Sequence, residues 1–496
     1  MKITIQLPAL VAALVVAMCF ITMNSGEAQA VDPTVVDPTL AVRKVVDGLN
    51  QPTSMAFLGS NDILVLEKAT GKVQRVVNGD IQSTVLDLAV NSASERGLLG
   101  IALHPQFPAN PRVYLYWTES TTGADTTVLS ETPLLGNRVD RLVWNGSTST
   151  LTFDQNLIHL RALQPASSQE PTPRGNNNGG VLRFGPDGKL YIFVGDVGRR
   201  GQLQNLPNGP FGSGQPDDAF GGPEPDDAHL TGVILRLNDD GSTPTDNPFF
   251  AAGAEMGGDV GANIQKIFSY GHRNSFGMAF EPKSGNLWLQ ENGDDSFAEL
   301  NRVTPGMNGG WVQIMGPVAR IAEYKAIETS TGNDPCTGTA YFGLQQIRWL
   351  STLIADTPKE ALERLFMLPG ARYKDPEFSW KFEVAPAGIG FMEGEALGPQ
   401  YEGNLFMGAA TTVLEGGYLF RFKLTGSGKK IRDDDHQLRD QVADNVCKFD
   451  ITESESLLFG QDFGIGTHIQ TGPNGNLFVV SLSNGAIYEI FRPLSP

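Results

Sequence analysis

The chain has 496 residues, and its 55 Asp and Glu outnumber 37 Lys and Arg to give a formal charge of −18. That balance excludes a phosphate-tracking nucleic-acid binder, which needs a basic face, and suits a protein able to hold divalent cations. A hydrophobic content of 40% excludes a disordered chain, and 57 Gly with 31 Pro describe a large core broken by many tight turns.

The first element is a targeting segment. Lys2 precedes the apolar run PALVAALVVAMCF and then Ala28-Gln29-Ala30, a small-x-small cleavage site. Residues 1–30 are expected to be a signal peptide cleaved after Ala30, leaving a secreted or periplasmic protein with no integral membrane span. Cys19 leaves a lipoprotein alternative open, with Met18 a poor residue before a lipidated cysteine. The stretch 31–41, VDPTVVDPTL and the residue after it, is a Pro/Thr linker.

From residue 42 to 496 one pattern recurs: a small or Gly-rich start, an apolar strand, a Gly/Pro/Asn turn and a second strand. PTSMAFLGSNDILVLEKATGKVQRV, GLLGIALHPQFPANPRVYLYWTE, GGVLRFGPDGKLYIFVGD, SFGMAFEPKSGNLWLQEN, AGIGFMEGEALGPQYEGNLFMGA and HIQTGPNGNLFVVSLSNGAIYEI are its six copies. Pro-Asp-Gly, Lys-Ser-Gly and Pro-Asn-Gly supply the left-handed glycine that such hairpins need. Each unit exposes an apolar face that only a neighbour can cover. All-strand repeats of this length predict an all-β, six-bladed propeller with insertions between blades.

The longest insertion spans about 312–380 and holds a short helix. Thr357-Pro358-Lys359-Glu360 is a capping box with Pro at the first helical position. Ala361, Leu362, Leu365 and Phe366 form its apolar stripe, and Pro369-Gly370 stops it. Cys336 and Cys447, left after signal removal, form one disulfide in an exported protein or stand as two separate buried thiols.

Four polar clusters fall at strand starts and ends, where a propeller lines its channel: Glu95 before GLLG, Asp196 in GDVGRRGQ, Arg273-Asn274 in YGHRNSFG, and Glu291 to Asp294 in ENGDD. Each alone also suits a turn cap or an ion pair; convergence would make them a site.

ERGLLGIALHPQF, NNNGGVLRFGPDGKLYIFVGD, GVILRLNDDGSTPTDNPF, YGHRNSFGMAF and GGYLFRF together resemble the soluble sugar dehydrogenases dependent on pyrroloquinoline quinone (PQQ), the glucose/sorbosone dehydrogenase family. The resemblance implies a six-bladed fold with PQQ and Ca²⁺ at the channel and a sugar as substrate. It further implies a His general base oriented by an Asp, and an external electron acceptor. By motif the orienting carboxylate is Asp196, Glu95, Arg273 and Asn274 contact the cofactor, carbonyls of Gly293 and Asp294 hold calcium, and Glu299 is the acidic residue near it.

The base position itself falls on Asn177, and an amide cannot accept a proton at neutral pH. Cationic positions are altered as well: Ile465-Gly466-Thr467-His468 stands where relatives carry Arg-x-Arg, and AATTVLEGG lacks the Lys expected before GGYLFRF. At roughly 1.5–3 kcal/mol per charge-assisted bond, three lost cations forfeit about 5–9 kcal/mol of quinone binding. A lost base costs about 10²–10⁴ in rate. His468 is a candidate substitute base; His229 could reach the mouth; His272 reads as structural, and His104, His159 and His436 as turn or surface residues.

Three functions follow. The first is a PQQ- and Ca²⁺-dependent oxidoreductase acting on CH–OH groups of sugars, weakened at Asn177. The second is a non-catalytic carbohydrate- or protein-binding propeller of the same family. The third is a Ca²⁺- and carboxylate-using propeller hydrolase, for which the sequence offers no distinctive His-Asp pair.

Overall fold

The computed structural model describes residues 32–163, 175–198, 230–330, 332–336, 338, 351, 354–432 and 434–493. The expected signal peptide and His229 lie outside them.

What makes the strands is double-sided burial. Side chains alternate across a strand with period two, so a strand buried on both faces reads as an unbroken apolar run. In Asp62–Glu67, Ile63 and Val65 pack toward one neighbouring sheet, and Leu64 and Leu66 toward the other. Leu190–Val194 repeats this, with Leu190, Ile192 and Val194 on one side and Tyr191 and Phe193 on the other. Among the described residues six apolar clusters of this kind lie between adjacent sheets, and a seventh, around Trp311 and Tyr324, packs the insertion.

The described residues form six sheets in a closed ring, an all-β propeller arrangement with few helices. The innermost strands are Pro52–Gly59, Leu98–Leu103, Leu182–Phe184, Met278–Phe280, Pro386–Phe391 and Gly466–Thr471, and the last packs back against the first. Five sheets take their four antiparallel strands in order from one stretch of chain each. The sixth does not. HIQTGPNGNLFVVSLSNGAIYEI yields only three strands, and Ala41–Val46 from the other end of the chain pairs with Ala486–Phe491 to complete the sheet. Joining the two ends in one sheet removes the open edge that a linear array would leave.

The Pro/Thr stretch carries a short strand, Thr34–Val35, which extends the fifth sheet by pairing with Gln461 and Gly460. The region 312–380 contains the capped helix Pro358–Arg364, with Glu360 N donating to Thr357 Oγ1 at 3.2 Å. It ends at Arg364, earlier than the Pro-Gly stop, and Leu362 stays 42% exposed, so the stripe narrows to Ala361 and Leu365. Three helices were not anticipated: Phe250–Met256, Gly258–Lys266 and Ile321–Glu328. The first is Ala/Gly-rich and lacks a side-chain cap, so it carries little local signal.

Cys336 and Cys447 form a disulfide with Cα atoms 5.9 Å apart, tying the insertion to the loop before the fifth sheet's last main strand. No helix among the described residues is long and apolar enough to cross a membrane.

Candidate functional site at the ends of the inner strands

In an antiparallel sheet the start of the first strand and the end of the second meet at one edge. Glu95, Asn177 and Arg273-Asn274 precede innermost strands, while Asp196 and Glu291–Asp294 end or follow second strands. All therefore reach the same end of the ring.

There they form one hydrogen-bonded network. Asn177 adopts φ +56°, a left-handed conformation that Asn tolerates better than most residues. That turn aims its backbone N–H at Glu95 Oε2 (2.7 Å) and its amide Nδ2 at Asp196 Oδ1 (2.8 Å). Asn274 Nδ2 donates to the same Glu95 oxygen at 2.9 Å. Asp196 also accepts from Gly198 N (2.8 Å) and Trp311 Nε1 (3.0 Å), and its own N–H donates to Arg273 O at 2.8 Å. A side chain at residue 195 would collide with Asn177 O, at 2.1 Å from an added Cβ, so Gly195 is what lets the two segments close on each other.

The acidic turn completes the site. Arg273 donates to Asn292 O (3.2 Å) and to Asp294 Oδ1 (3.0 Å), with its guanidinium 5.6 Å from the Trp311 ring centre. Lys448 donates from Nζ to the Asp294 carbonyl at 3.1 Å and pairs with the Asp295 carboxylate. Glu299 sits apart from this turn: its carboxyl accepts from Gly316 N (2.5 Å) and Asn301 Nδ2 (2.8 Å), directly across the sheet from Glu291.

Burial sets the protonation of these groups. It pushes the Glu95 carboxyl up to about 7, against the opposing pull of Arg273 and of the Asn177 and Asn274 hydrogen bonds. Glu383, beside the turn, rises to about 7 for the same reason, held back by Arg273 and Lys448. Burial also raises Asp196, and burial with Glu291 alongside raises Glu299. Lys68 is lowered to about 8 by burial, with Glu95 opposing.

The candidate substitute base, His468, makes no hydrogen bond to this network. His468 is buried between the sixth and first sheets, with Nδ1 accepting from Met55 N at 2.9 Å, and burial with Arg183 nearby drives its pKa well below the usual range. His272 is structural, lodged between Glu291 Oε2 (2.9 Å) and Ser269 Oγ (3.0 Å). A cavity of about 540 Å³ lined by Asp37, Tyr401, Arg421 and Asp434 lies at the outer edge of the fifth sheet and shares no residue with the network.

Trp311, Glu383 and Lys448 were missed from sequence. Trp311 follows Gly309-Gly310, a hint that backbone approaches closely there, but nothing in the spacing of Lys448 signals its reach to residue 294.

The implied groups can be tested against these residues. PQQ brings three carboxylates and needs uncommitted cations. Arg273 is engaged by Asp294 and Asn292, Lys68 donates to Ser92 O (2.9 Å), and Arg96 to Gly175 O (2.7 Å) and Asn91 Oδ1 (3.0 Å). Among the described residues Arg273, the cation inside the network, is therefore poorly suited to PQQ, whereas Lys68, Arg96 and Arg183 bond only carbonyl or amide oxygens and keep their charge. Calcium fits the turn no better, because an ammonium already bonds the Asp294 carbonyl.

Residues 49–334 match the family model described as Glucose / Sorbosone dehydrogenase. Quinoprotein glucose dehydrogenase B of Acinetobacter calcoaceticus is 32% identical over 277 residues, 55% of this chain and about half (52%) of that protein. An aldose sugar dehydrogenase of Escherichia coli is 26% identical over 410 residues, 80% of this chain and 86% of that one. The PQQ-bound form of an aldose sugar dehydrogenase from Streptomyces coelicolor shares the fold with a TM-score of 0.53 at 22% identity, over 93% of this chain and 99% of that one.

Proposed function

The chain belongs to the glucose/sorbosone dehydrogenase family, and from that premise we propose that it is an exported, six-bladed, sugar-directed oxidoreductase whose turnover is weakened at Asn177. The observation that carries this reading is the 2.8 Å bond from Asn177 Nδ2 to Asp196 Oδ1. It keeps the pairing of an orienting carboxylate with its neighbour but puts an amide where a base would stand. Asp196 and Asn177 then orient a sugar hydroxyl. Asn177 accepts a hydrogen bond but no proton. Glu95, bonded to the Asn177 backbone and with a carboxyl near pKa 7, is the group next to Asn177 that is able to take a proton at neutral pH. PQQ, if bound, would supply the redox chemistry, with an external acceptor beyond it. The Cys336–Cys447 disulfide supports an oxidising compartment and hence export.

A second reading, a carbohydrate- or protein-binding propeller without turnover, is favoured by the engagement of Arg273 by Asp294 and Asn292. Calorimetric PQQ titration joined to dye reduction with aldoses separates the two. The oxidoreductase reading expects weak PQQ binding and slow dye reduction. Absence of PQQ binding at tens of micromolar would remove it and leave the binding propeller.

A further inference from the structure

We propose that the ammonium of Lys448 takes the place of a divalent cation at the Gly293–Asp295 turn, making the turn independent of calcium. The turn faces oxygen toward one spot: the Asp294 carbonyl and the Asp295 carboxylate both meet Lys448 Nζ. Hard oxygen ligands of this kind suit calcium as well as an ammonium, and only one of the two can occupy the spot.

Three restraints deliver Lys448 there. Its neighbour Cys447 is bonded to Cys336. Its own N–H donates to Asp334 Oδ2 (3.2 Å), whose other oxygen accepts from Cys336 N (3.0 Å). Phe449 N donates to Glu383 O at 2.9 Å, anchoring the next residue to the strand beside the turn. Lys448 is thus fixed on both sides, and its side chain is only 13% exposed. Behind the turn, Glu328 Oε1 accepts from Asp295 N (2.9 Å), Ser296 N (3.0 Å) and Ser296 Oγ (2.8 Å), which pins the peptide that carries the Asp294 carbonyl.

This inference rests on the family reading only for the expectation of calcium at the turn, and its test reads stability rather than turnover, so the two can fail separately. Thermal melts of the full mature chain are recorded in chelator and in millimolar CaCl₂, for wild type, Lys448→Met and Lys448→Arg. Wild type and Lys448→Arg should melt at the same temperature in both buffers. Lys448→Met should melt several degrees lower in chelator and regain part of the loss in CaCl₂, since a ligand that binds only the folded state raises its melting point. Equilibrium dialysis with calcium should find no turn site in wild type and one in the variant. If Lys448→Met does not fold, Lys448→Gln, which keeps a donor for the Asp294 carbonyl without the charge, is read in the same way. Calcium stabilising wild type as much as the variant would overturn the proposal. So would a destabilised neutral variant that calcium neither binds nor rescues, since Lys448 would then be an ordinary ion-pair partner.

Discussion

Around Asp196 and Glu95 every bonded partner is neutral: two asparagine amides, a tryptophan N–H and backbone donors. Around Asp294 and Asp295 the partners are permanent cations, Arg273 and Lys448. The two halves share Arg273 and Trp311, yet they meet the cost of buried carboxylates by different physics. A buried carboxyl whose bonded partners are all neutral remains expensive as an anion and shifts toward its protonated form, even with Arg273 nearby. One bonded to a fixed cation has that cost offset by its partner, and the pair is sensitive to losing it. The first half is therefore poised to move protons, and the second to hold its shape.

The largest expected effect comes from breaking the first half. Asn177→His places an imidazole where Asp196 accepts at 2.8 Å, in a left-handed backbone position that His also tolerates. Dye reduction with aldoses in the presence of PQQ should rise by about 10²–10⁴. No gain, with PQQ bound equally by both proteins, would show that proton abstraction is not what limits turnover.

Breaking the second half is a matter of stability. The disulfide closes a segment with a sequence separation of 111 residues, for which the chain-entropy model gives up to about 4–5 kcal/mol, usually less in practice. Cys336→Ser/Cys447→Ser should lower the denaturation midpoint accordingly, and the change is measured by urea unfolding.

The pH profile sharpens the contrast. Glu95 and Glu383 lie near 7 in the fold against an ordinary value of 4.5. Between about pH 4.5 and 7 the folded protein keeps protons that the unfolded chain has released, so stability falls as pH rises through that window. The loss is at most about 3 kcal/mol per group. Urea midpoints from pH 5 to 8 should decline, and Glu95→Gln should flatten the decline. A flat wild-type profile would contradict the raised carboxyls.

Thr357→Ala lies in neither half and calibrates the scale. Removing the cap of the short helix Pro358–Arg364 should cost only about 1 kcal/mol, visible as a small shift of the melt with no change in sugar or metal response.

The strands, their hairpin turns and the family were legible in the sequence because they are local: period-two burial, turn glycines and contiguous motifs leave marks within a few residues. The same holds for the replacement at Asn177 and for the helix cap at Thr357. Only the tertiary structure decided the rest. That the last sheet borrows Ala41–Val46 depends on pairing residues over 440 positions apart, which no local pattern encodes. That His468 bonds Met55 N follows from which strand of the first sheet meets the sixth. That Glu95 holds a proton near neutrality follows from burial, and Lys448 reaches residue 294 through a disulfide and a loop. Solvent exclusion and long-range closure are properties of the assembled ring, and a lysine or glutamate in the sequence carries no sign of either.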